Sequence, residues 1–328
     1  MSGVIRVAVL GAGGLGRSCA AIVAKKKQMR LVAICDKEGY AYSPDGLDAD
    51  AISSVKIGGT VGDLDCGKRV TDSIGEIIAI SKEIDGIFIA LPNLPNDFMS
   101  NVVKRFIATG YKGCFVDALK RTSAMEMMFR LHGDLMQVNS TYITGCGATP
   151  GLLTAAAVIA AQSFIEIESV NIWWGVGIAN WQEYKATIRE DIAHLPGYTV
   201  DTALSMSDKE VEELLDKTNG LLELHEMEHA DDLLLERVGV VDSRDKVTVG
   251  GIMDTRHTKK PVSTTMTLTG ITFDGKRSSH QFILGDETNM SANVVGPALG
   301  YLKRALWLNR HQIYGIYGST EFMPCVVG

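Results

Sequence analysis

Three glycines near the start of the chain have the spacing of a phosphate-binding loop. Gly11, Gly13 and Gly16 lie between residues 5–10, an apolar stretch that we predict to be a strand, and residues 17–27, which we predict to be a helix. The first glycine allows a tight turn, the second lets the backbone approach a pyrophosphate, and the third lets helix and strand pack closely. The alternative is a glycine-rich turn that only connects two elements. The predicted dinucleotide contacts are Gly11, Gly13, Gly14, Leu15 and Gly16.

An acidic residue follows the second predicted strand, residues 30–35. A carboxylate at the position of Asp36, about twenty residues beyond the glycines, can accept hydrogen bonds from ribose hydroxyls. Its charge would repel a 2′-phosphate and so favours NAD, whereas the charge of Lys37 would attract that phosphate and so favours NADP. We therefore predict that Asp36 and Lys37 both contact the cofactor, and the choice between NAD and NADP stays open.

Three further segments follow predicted strands. In open parallel sheets ligands bind beyond the carboxyl ends of the strands, so residues 90–96, 117–121 and 145–151 should surround the nicotinamide. The further predicted cofactor contacts are Leu91, Pro92 and Asp117.

Two charged residues of these regions are candidates for catalysis. Asp97 has the charge to hold a cationic substrate, although an ordinary helix N-cap explains it equally well. Lys120 has the chemistry to donate a proton or to engage a substrate carboxylate, although a basic residue before a helix is as often merely solvated.

The second half of the chain offers groups for substrate recognition. An aromatic face such as that of Trp174 can cover an amine, and a guanidinium can clamp a carboxylate in bidentate fashion. Core packing and surface ion pairs are the alternatives for these residue types. The predicted substrate contacts are Thr149, Pro150, Gly151, Trp174, Arg189, Arg256 and His257.

Two histidines, His225 and His229, are four residues apart, a spacing that zinc sites use on helices. The intervening residues do not match the H-E-x-x-H pattern, and no third ligand is evident nearby. We therefore predict no metal site, and we interpret the segment as exposed and acidic.

Alternating predicted strands and helices indicate an α/β fold in which a parallel sheet is covered on both faces. We expect a doubly wound Rossmann domain over residues 1–150, completed by a C-terminal helix within residues 291–328. Residues 151–290 should form a substrate-binding α+β domain on a mostly antiparallel sheet. Residues 38–67 are expected to be mostly loop, and residues 122–138 one helix.

Charge and cysteine content restrict the partners. The chain of 328 residues has a net charge of −7 and six cysteines. An acidic protein lacks the clustered cations that nucleic acids and anionic membranes require. The cysteines form no C-x-x-C pair and fit reduced thiols of the cytosol. We expect a cytoplasmic protein that acts on small molecules, binds neither nucleic acid nor membrane, and forms a homodimer.

Several motifs together resemble a known family. The glycine-rich start, Val116-Asp117 and the G-x-x-P-G loop at 147–151 resemble the saccharopine dehydrogenase-like family, which includes carboxynorspermidine and carboxyaminopropylagmatine dehydrogenases. The runs 174–177 and 195–197, with the overall length, are similar to meso-diaminopimelate dehydrogenase.

The resemblance implies an NAD(P)-dependent oxidoreductase acting on a C–N bond. In that function the cofactor, NADP or NAD, would in its reduced form deliver a hydride to an imine formed from an amine, of polyamine or agmatine type, and an amino-acid semialdehyde, as in polyamine biosynthesis. The alternatives are a diaminopimelate-type amino acid dehydrogenase, which would place the chain in amino-acid metabolism, and a non-catalytic regulator that binds a dinucleotide.

Overall fold

The chain forms two compact units. The computed structural model describes residues 3–56, 58–178, 180–285 and 290–328. The first unit comprises Met1–Leu119, Ser123–Gly147 and Ser291–Gly328, and the second comprises Lys120–Thr122 and Ala148–Met290. The three residues Lys120–Thr122 therefore belong to the second unit, although the chain on either side of them belongs to the first.

Within the described residues the strands form two sheets. In chain order they are β1 (Ile5–Leu10), β2 (Met29–Cys35), β3 (Gly39–Tyr42), β4 (Gly67–Arg69), β5 (Gly86–Ile89), β6 (Cys114–Asp117), β7 (Thr141–Thr144), β8 (Phe164–Gly177), β9 (Leu221–Leu224), β10 (Val247–Asp254), β11 (Thr264–Thr272), β12 (Arg277–Leu284) and β13 (Gly315–Gly318). The first sheet has the order β13-β7-β6-β5-β1-β2-β3-β4, and the second has the order β12-β11-β8-β10-β9.

The helices follow the same division. In chain order they are α1 (Gly14–Val23), α2 (Ala49–Ser54), α3 (Ser73–Ala79), α4 (Phe98–Ala108), α5 (Thr122–Phe129), α6 (His132–Gln137), α7 (Leu152–Ala161), α8 (Lys185–Ile192), α9 (Val200–Ser205), α10 (Asp208–Lys217), α11 (Asp231–Arg237) and α12 (Met290–Arg310).

The first sheet is parallel from β13 to β2, and only β3 and β4 pair in antiparallel fashion. Its core combines apolar residues of β1 and β5 with one side of α12, where Tyr301 is buried and donates a hydrogen bond to the carbonyl oxygen of Ser319 at 2.9 Å. The C-terminal region therefore completes the core of the first unit. The expected α/β class, with a Rossmann-like parallel sheet and a second, mostly antiparallel sheet, is confirmed.

The second sheet is built around the 14-residue strand β8, which pairs with β11 in antiparallel and with β10 in parallel fashion. Val170 and Ile172 of β8 lie in the core of this unit together with residues of α7, α8 and α10. Burial of these apolar side chains removes them from water and holds the helices on the sheet.

Local details differ from the sequence predictions where turns interrupt the pattern. Residues 38–67 contain β3 and α2, because Asp48 caps α2 by accepting hydrogen bonds from the backbone amides of Asp50 and Ala51. The helix expected over residues 122–138 is two helices, α5 and α6, and the C-terminal helix ends at Arg310, before β13.

Close backbone contacts require glycine at two positions, Gly11 in the loop between β1 and α1 and Gly16 in the first turn of α1. Gly11 has a φ of +104°, and a Cβ at this position would lie 2.4 Å from the carbonyl oxygen of Ala90. A Cβ at Gly16 would lie 1.8 Å from the carbonyl oxygen of Gly11, whereas a Cβ at Gly13 would have no atom within 4 Å. The backbone is therefore tightly packed at Gly11 and Gly16 and open at Gly13.

We expect Gly16→Ala to lower the free energy of unfolding by about 2 kcal/mol or more, because the methyl group would displace backbone. Gly13→Ala should change it by less than about 0.5 kcal/mol, since the added methyl group has free space. Urea denaturation of both variants measures the difference, and equal stabilities would contradict this account of the loop.

Candidate functional site

The loop between β1 and α1 has the features of an anion cradle. Gly13 is the N-cap of α1 but makes no side-chain hydrogen bond to the first turn, which contains no acidic residue. The amides at the start of a helix carry partial positive charge and lack partners within the helix. With the open space at Gly13, this fits the diphosphate of a dinucleotide, and Gly14 and Leu15 supply two of those amides.

Asp36 has a structural function in the loops that follow β2. One carboxylate oxygen accepts hydrogen bonds from the amides of Glu38 and Gly39 and from the hydroxyl of Thr60, and the other accepts from the amide of Val61 at 2.7 Å. The predicted ribose contact of Asp36 stays a prediction. Lys37 is 88% exposed and pairs with Glu38 at 3.4 Å, so its predicted phosphate contact also stays a prediction.

The residues after β5 lie close to the glycine loop, since Gly11 approaches the backbone of Ala90. Leu91 is half-buried and Pro92 is exposed. Asp97 occupies the N-cap position of α4 without capping its amides, and its exposed carboxylate accepts a hydrogen bond from the side chain of Asn101 at 3.0 Å. The structure therefore gives Asp97 a helix-start position, and its catalytic role stays a prediction.

Asp117 is a positioning group at the end of β6. Its fully buried carboxylate accepts hydrogen bonds from the amides of Leu119 and Gly145 and from the hydroxyls of Tyr142 and Thr144, at 2.7–3.1 Å. Burial raises its pKa, while the hydrogen bonds act in the opposite direction. Because the side chain has no exposed surface, the predicted contact between this carboxylate and a cofactor does not fit the structure.

Lys120 lies in a charged cluster inside the second unit. Its Nζ is 2.5 Å from a carboxylate oxygen of Asp191 and 3.8 Å from one of Glu190. Both carboxylates are buried, and the lysine side chain is 18% exposed. Burial alone would lower the pKa of Lys120, but the charges of Asp191 and Glu190 outweigh it and raise the pKa above the ordinary value. Lys120 is therefore an ammonium group at neutral pH.

His194 belongs to the same region of the second unit. Its Nδ1 lies 3.0 Å from the carbonyl oxygen of Glu190. Burial, followed by the positive charge of Lys120, lowers the pKa of His194. The imidazole is accordingly neutral at pH 7, and the charge balance around Lys120 is set by the two carboxylates.

The segment Lys120–Thr122 is held by three further contacts. The carbonyl oxygen of Lys120 accepts a hydrogen bond from the amide of Ala230 at 2.7 Å. Arg121 forms an ion pair with Glu228 at 2.7 Å, and the hydroxyl of Thr122 donates to Asp232 at 3.0 Å. These contacts fix the backbone from which the Lys120 side chain extends.

A second buried polar network lies beside this segment. Asp231 is fully buried and accepts hydrogen bonds from the hydroxyl of Thr149 at 2.7 Å and from that of Thr154, and it lies 2.6 Å from Nδ1 of His229. His229 is 3% exposed. The interpretation of residues 225–229 as an exposed segment is therefore wrong at His229, because the chain turns inward there to reach Asp231.

This network was missed because its members are separated in the sequence by up to 82 residues. The only local signal is the spacing of His229 and Asp231, two residues apart. Of the predicted substrate contacts, Thr149 takes part in the network, while the neighbouring Pro150 and Gly151 are buried.

The other predicted substrate contacts have partners elsewhere in the second unit. Arg189 pairs with Asp208 at 2.8 Å. Arg256 pairs with Glu212 and Asp216 at 2.5 and 2.6 Å, and His257 lies 2.9 Å from Asp254. Trp174 is buried in the core. The structure thus brings Thr149 and Lys120 near one segment, residues 228–232, and gives the arginines ion-pair partners of their own.

No group of three or more histidine, cysteine or acidic side chains among the described residues is arranged to hold a metal ion. None of the described helices combines the length and apolar character needed to cross a bilayer.

Comparison with known proteins finds one strongly similar curated relative. The protein named (S)-8-amino-7-oxononanoate synthase BioU, from Haloferax mediterranei, is 45% identical over 349 residues, covering 98% of this chain and 99% of the relative. No family model matches the chain.

Solved structures with this fold include two dehydrogenases. A DAP dehydrogenase from C. glutamicum, in complex with DAP, has a TM-score of 0.57 at 18% identity, covering 97% of this chain and 93% of that one. The saccharopine dehydrogenase (L-Glu forming) from Saccharomyces cerevisiae has a TM-score of 0.57 at 11% identity, covering 96% and 94%. Identities this low show a shared fold.

These findings correct the expected family and function. Assignment to the saccharopine dehydrogenase-like family is wrong, because the 45% identical relative is a synthase of a different name. The expected imine-reducing oxidoreductase of polyamine biosynthesis, with its diaminopimelate and regulator alternatives, is wrong for the same reason. The motifs that suggested it are features that many proteins of this fold can share.

We expect Lys120→Met to lower the free energy of unfolding by about 3 kcal/mol at pH 7, because two buried carboxylates lose their cation. Since the pKa of Lys120 is raised in the fold, this stabilisation is fully present below the ordinary lysine pKa. It is lost as the pH rises through the higher folded value. Denaturant unfolding at pH 7 and at alkaline pH measures both effects.

The matched control is Lys185→Met. Lys185 pairs with Asp208 at the same distance of 2.5 Å, but both side chains are exposed, so the expected loss is below about 1 kcal/mol. Equal losses for the two variants would contradict a special role of burial at Lys120.

Proposed function

The chain belongs to the BioU family, and from that premise we propose that it acts as an (S)-8-amino-7-oxononanoate synthase. The observation that carries the proposal is 45% identity to the named synthase over nearly the full length of both chains. The expected small-molecule partner is thus retained, and (S)-8-amino-7-oxononanoate, which by the relative's name is the product, replaces the expected amine and semialdehyde. The imine discussed below is the one that this product would form with a lysine of the protein. Cytoplasmic localisation and a homodimer stay predictions.

The named compound has three groups that a protein can recognise. It carries a ketone, a primary amine on the neighbouring carbon and a carboxylate at the far end of the chain. A lysine amine condenses with a ketone to form an imine. Lys120 is the side chain of the second unit with this chemistry in a partly buried, charged setting.

A carboxylate beside Lys120 suits this chemistry. Lys120 is an ammonium group at rest and must lose a proton before its nitrogen can attack a carbonyl carbon. Asp191, whose carboxylate oxygen lies 2.5 Å from Nζ of Lys120, would accept that proton. The carboxylate of Glu190 lies 3.8 Å from the same nitrogen.

We further propose that the first unit binds NAD or NADP. The cradle of Gly11, Gly13 and Gly16, with the start of α1, would hold the diphosphate. A bound nicotinamide would supply or accept a hydride. The protein itself contributes the open space at Gly13 and the partial positive charge of the backbone amides at the start of α1.

Trapping an imine tests the role of Lys120. Purified protein is mixed with (S)-8-amino-7-oxononanoate, reduced with borohydride and analysed by mass spectrometry. We expect the chain to gain the mass of the compound minus one water plus two hydrogens, with the addition located on Lys120. The (R) enantiomer should give less adduct.

Lys120→Arg should abolish the adduct, because a guanidinium does not form this imine. Lys185→Arg should leave the adduct unchanged, since Lys185 forms an exposed pair with Asp208. Equal labelling of wild type and Lys120→Arg would refute the assignment.

Gly13→Ala tests the cofactor site. Its methyl group would occupy the space proposed for the diphosphate, so we expect affinity for NADH and NADPH to fall at least about tenfold, equivalent to about 1.4 kcal/mol. Titration calorimetry measures the affinity. Gly133→Ala is the control, since a Cβ there also has no atom within 4 Å. A wild-type protein that bound neither compound would overturn this proposal.

A further inference from the structure

A buried histidine and carboxylate form an anchored pair in the second unit. His229 and Asp231 are 2.6 Å apart, and the two threonines Thr149 and Thr154 donate hydrogen bonds to the same carboxylate. Because the carboxylate accepts hydrogen bonds, Nδ1 of His229 must carry a hydrogen when the ring is neutral. The free lone pair is then on Nε2. The network thus fixes both the orientation and the tautomer of the ring.

Hydrogen bonds and an ion pair link the segment that contains this pair, residues 228–232, to residues 120–122. Ala230, between His229 and Asp231, donates its amide hydrogen to the carbonyl oxygen of Lys120 at 2.7 Å. The ion pair of Arg121 with Glu228 and the hydrogen bond of Thr122 to Asp232 flank this contact. The charged residues of these contacts are Asp231, Glu228, Asp232, Lys120 and Arg121. His229 is therefore held against the backbone from which Lys120 extends.

A second histidine of the same stretch provides the contrast. His225 lies 3.0 Å from Glu223, but its side chain is 64% exposed and no threonine holds the carboxylate. An exposed pair of this kind contributes little to stability. Burying a histidine and a carboxylate costs desolvation free energy that apolar residues would avoid. A buried, fully oriented pair beside a reactive lysine is the arrangement that proton transfer requires.

We propose that His229, positioned by Asp231, transfers the proton that converts the lysine adduct of the ketone into an imine. This inference rests on the proposed function. After the nitrogen of Lys120 has added to the ketone carbon, Nε2 of His229 takes a proton from that nitrogen. It gives this proton to the oxygen, which becomes a hydroxyl group, and it then transfers the second proton of the nitrogen to the same oxygen. The carbon–oxygen bond breaks, water leaves, and the nitrogen electron pair forms the carbon–nitrogen double bond. Asp231 is a positioning residue in this step.

The test measures how fast the borohydride-trappable adduct forms between pH 5 and 9 after mixing with (S)-8-amino-7-oxononanoate. We expect His229→Gln to slow adduct formation by about 100-fold or more and to remove the pH dependence that the imidazole contributes. Asp231→Asn should slow it by about tenfold and retain a pH dependence, because the ring remains. His225→Gln should behave as wild type.

Thr149→Val keeps the proposal testable if His229→Gln does not fold. It removes one hydrogen bond to the buried carboxylate of Asp231 and leaves the ring, so we expect a smaller loss of rate than in His229→Gln and a modest loss of thermal stability. If His229→Gln has the rate and pH profile of the wild type, the role proposed for His229 is wrong, while the proposed function stands. The same conclusion follows from Thr149→Val if His229→Gln does not fold. A wild-type protein that formed no adduct would overturn the proposed function and this step together.

Discussion

One ammonium group facing two buried carboxylates organises the polar interior of the second unit. Lys120 cannot be placed there without Asp191 and Glu190, and neither carboxylate can be buried without a cation. The surrounding contacts hold the backbone of this segment in place. The carbonyl oxygen of Lys120 accepts a hydrogen bond from Ala230, Arg121 pairs with Glu228, and Thr122 donates a hydrogen bond to Asp232.

The loop after β6 connects two kinds of polar site within a few residues. In the first unit, both carboxylate oxygens of Asp117 accept hydrogen bonds from backbone amides and hydroxyl groups of that same unit. Lys120, three residues later, belongs to the second unit. A buried carboxylate satisfied entirely by hydrogen bonds holds the local structure, whereas Lys120 is held by ion pairs to Asp191 and Glu190.

The fold of this chain does not by itself determine its function. Two dehydrogenases share the fold at 11% and 18% identity, whereas the relative at 45% identity is named as a synthase. The glycine loop and the G-x-x-P-G segment of this chain suggested the wrong family. Such features position a diphosphate or a helix, and they do not select a reaction. In the function proposed for this chain, that selection is assigned to the side chains of Lys120 and His229.

The sequence by itself determined the parallel sheet, the glycine loop and the second, mostly antiparallel sheet, because periodic burial and turn residues act over short distances. It also singled out Lys120. Only the tertiary structure decided that Asp117 is closed to ligands, that Arg189 and Arg256 are committed to ion pairs, and that His229 meets Asp231 in a buried network. Those outcomes depend on partners tens of residues away, and the free energy of a buried charge is set by which partners the fold brings within hydrogen-bonding distance.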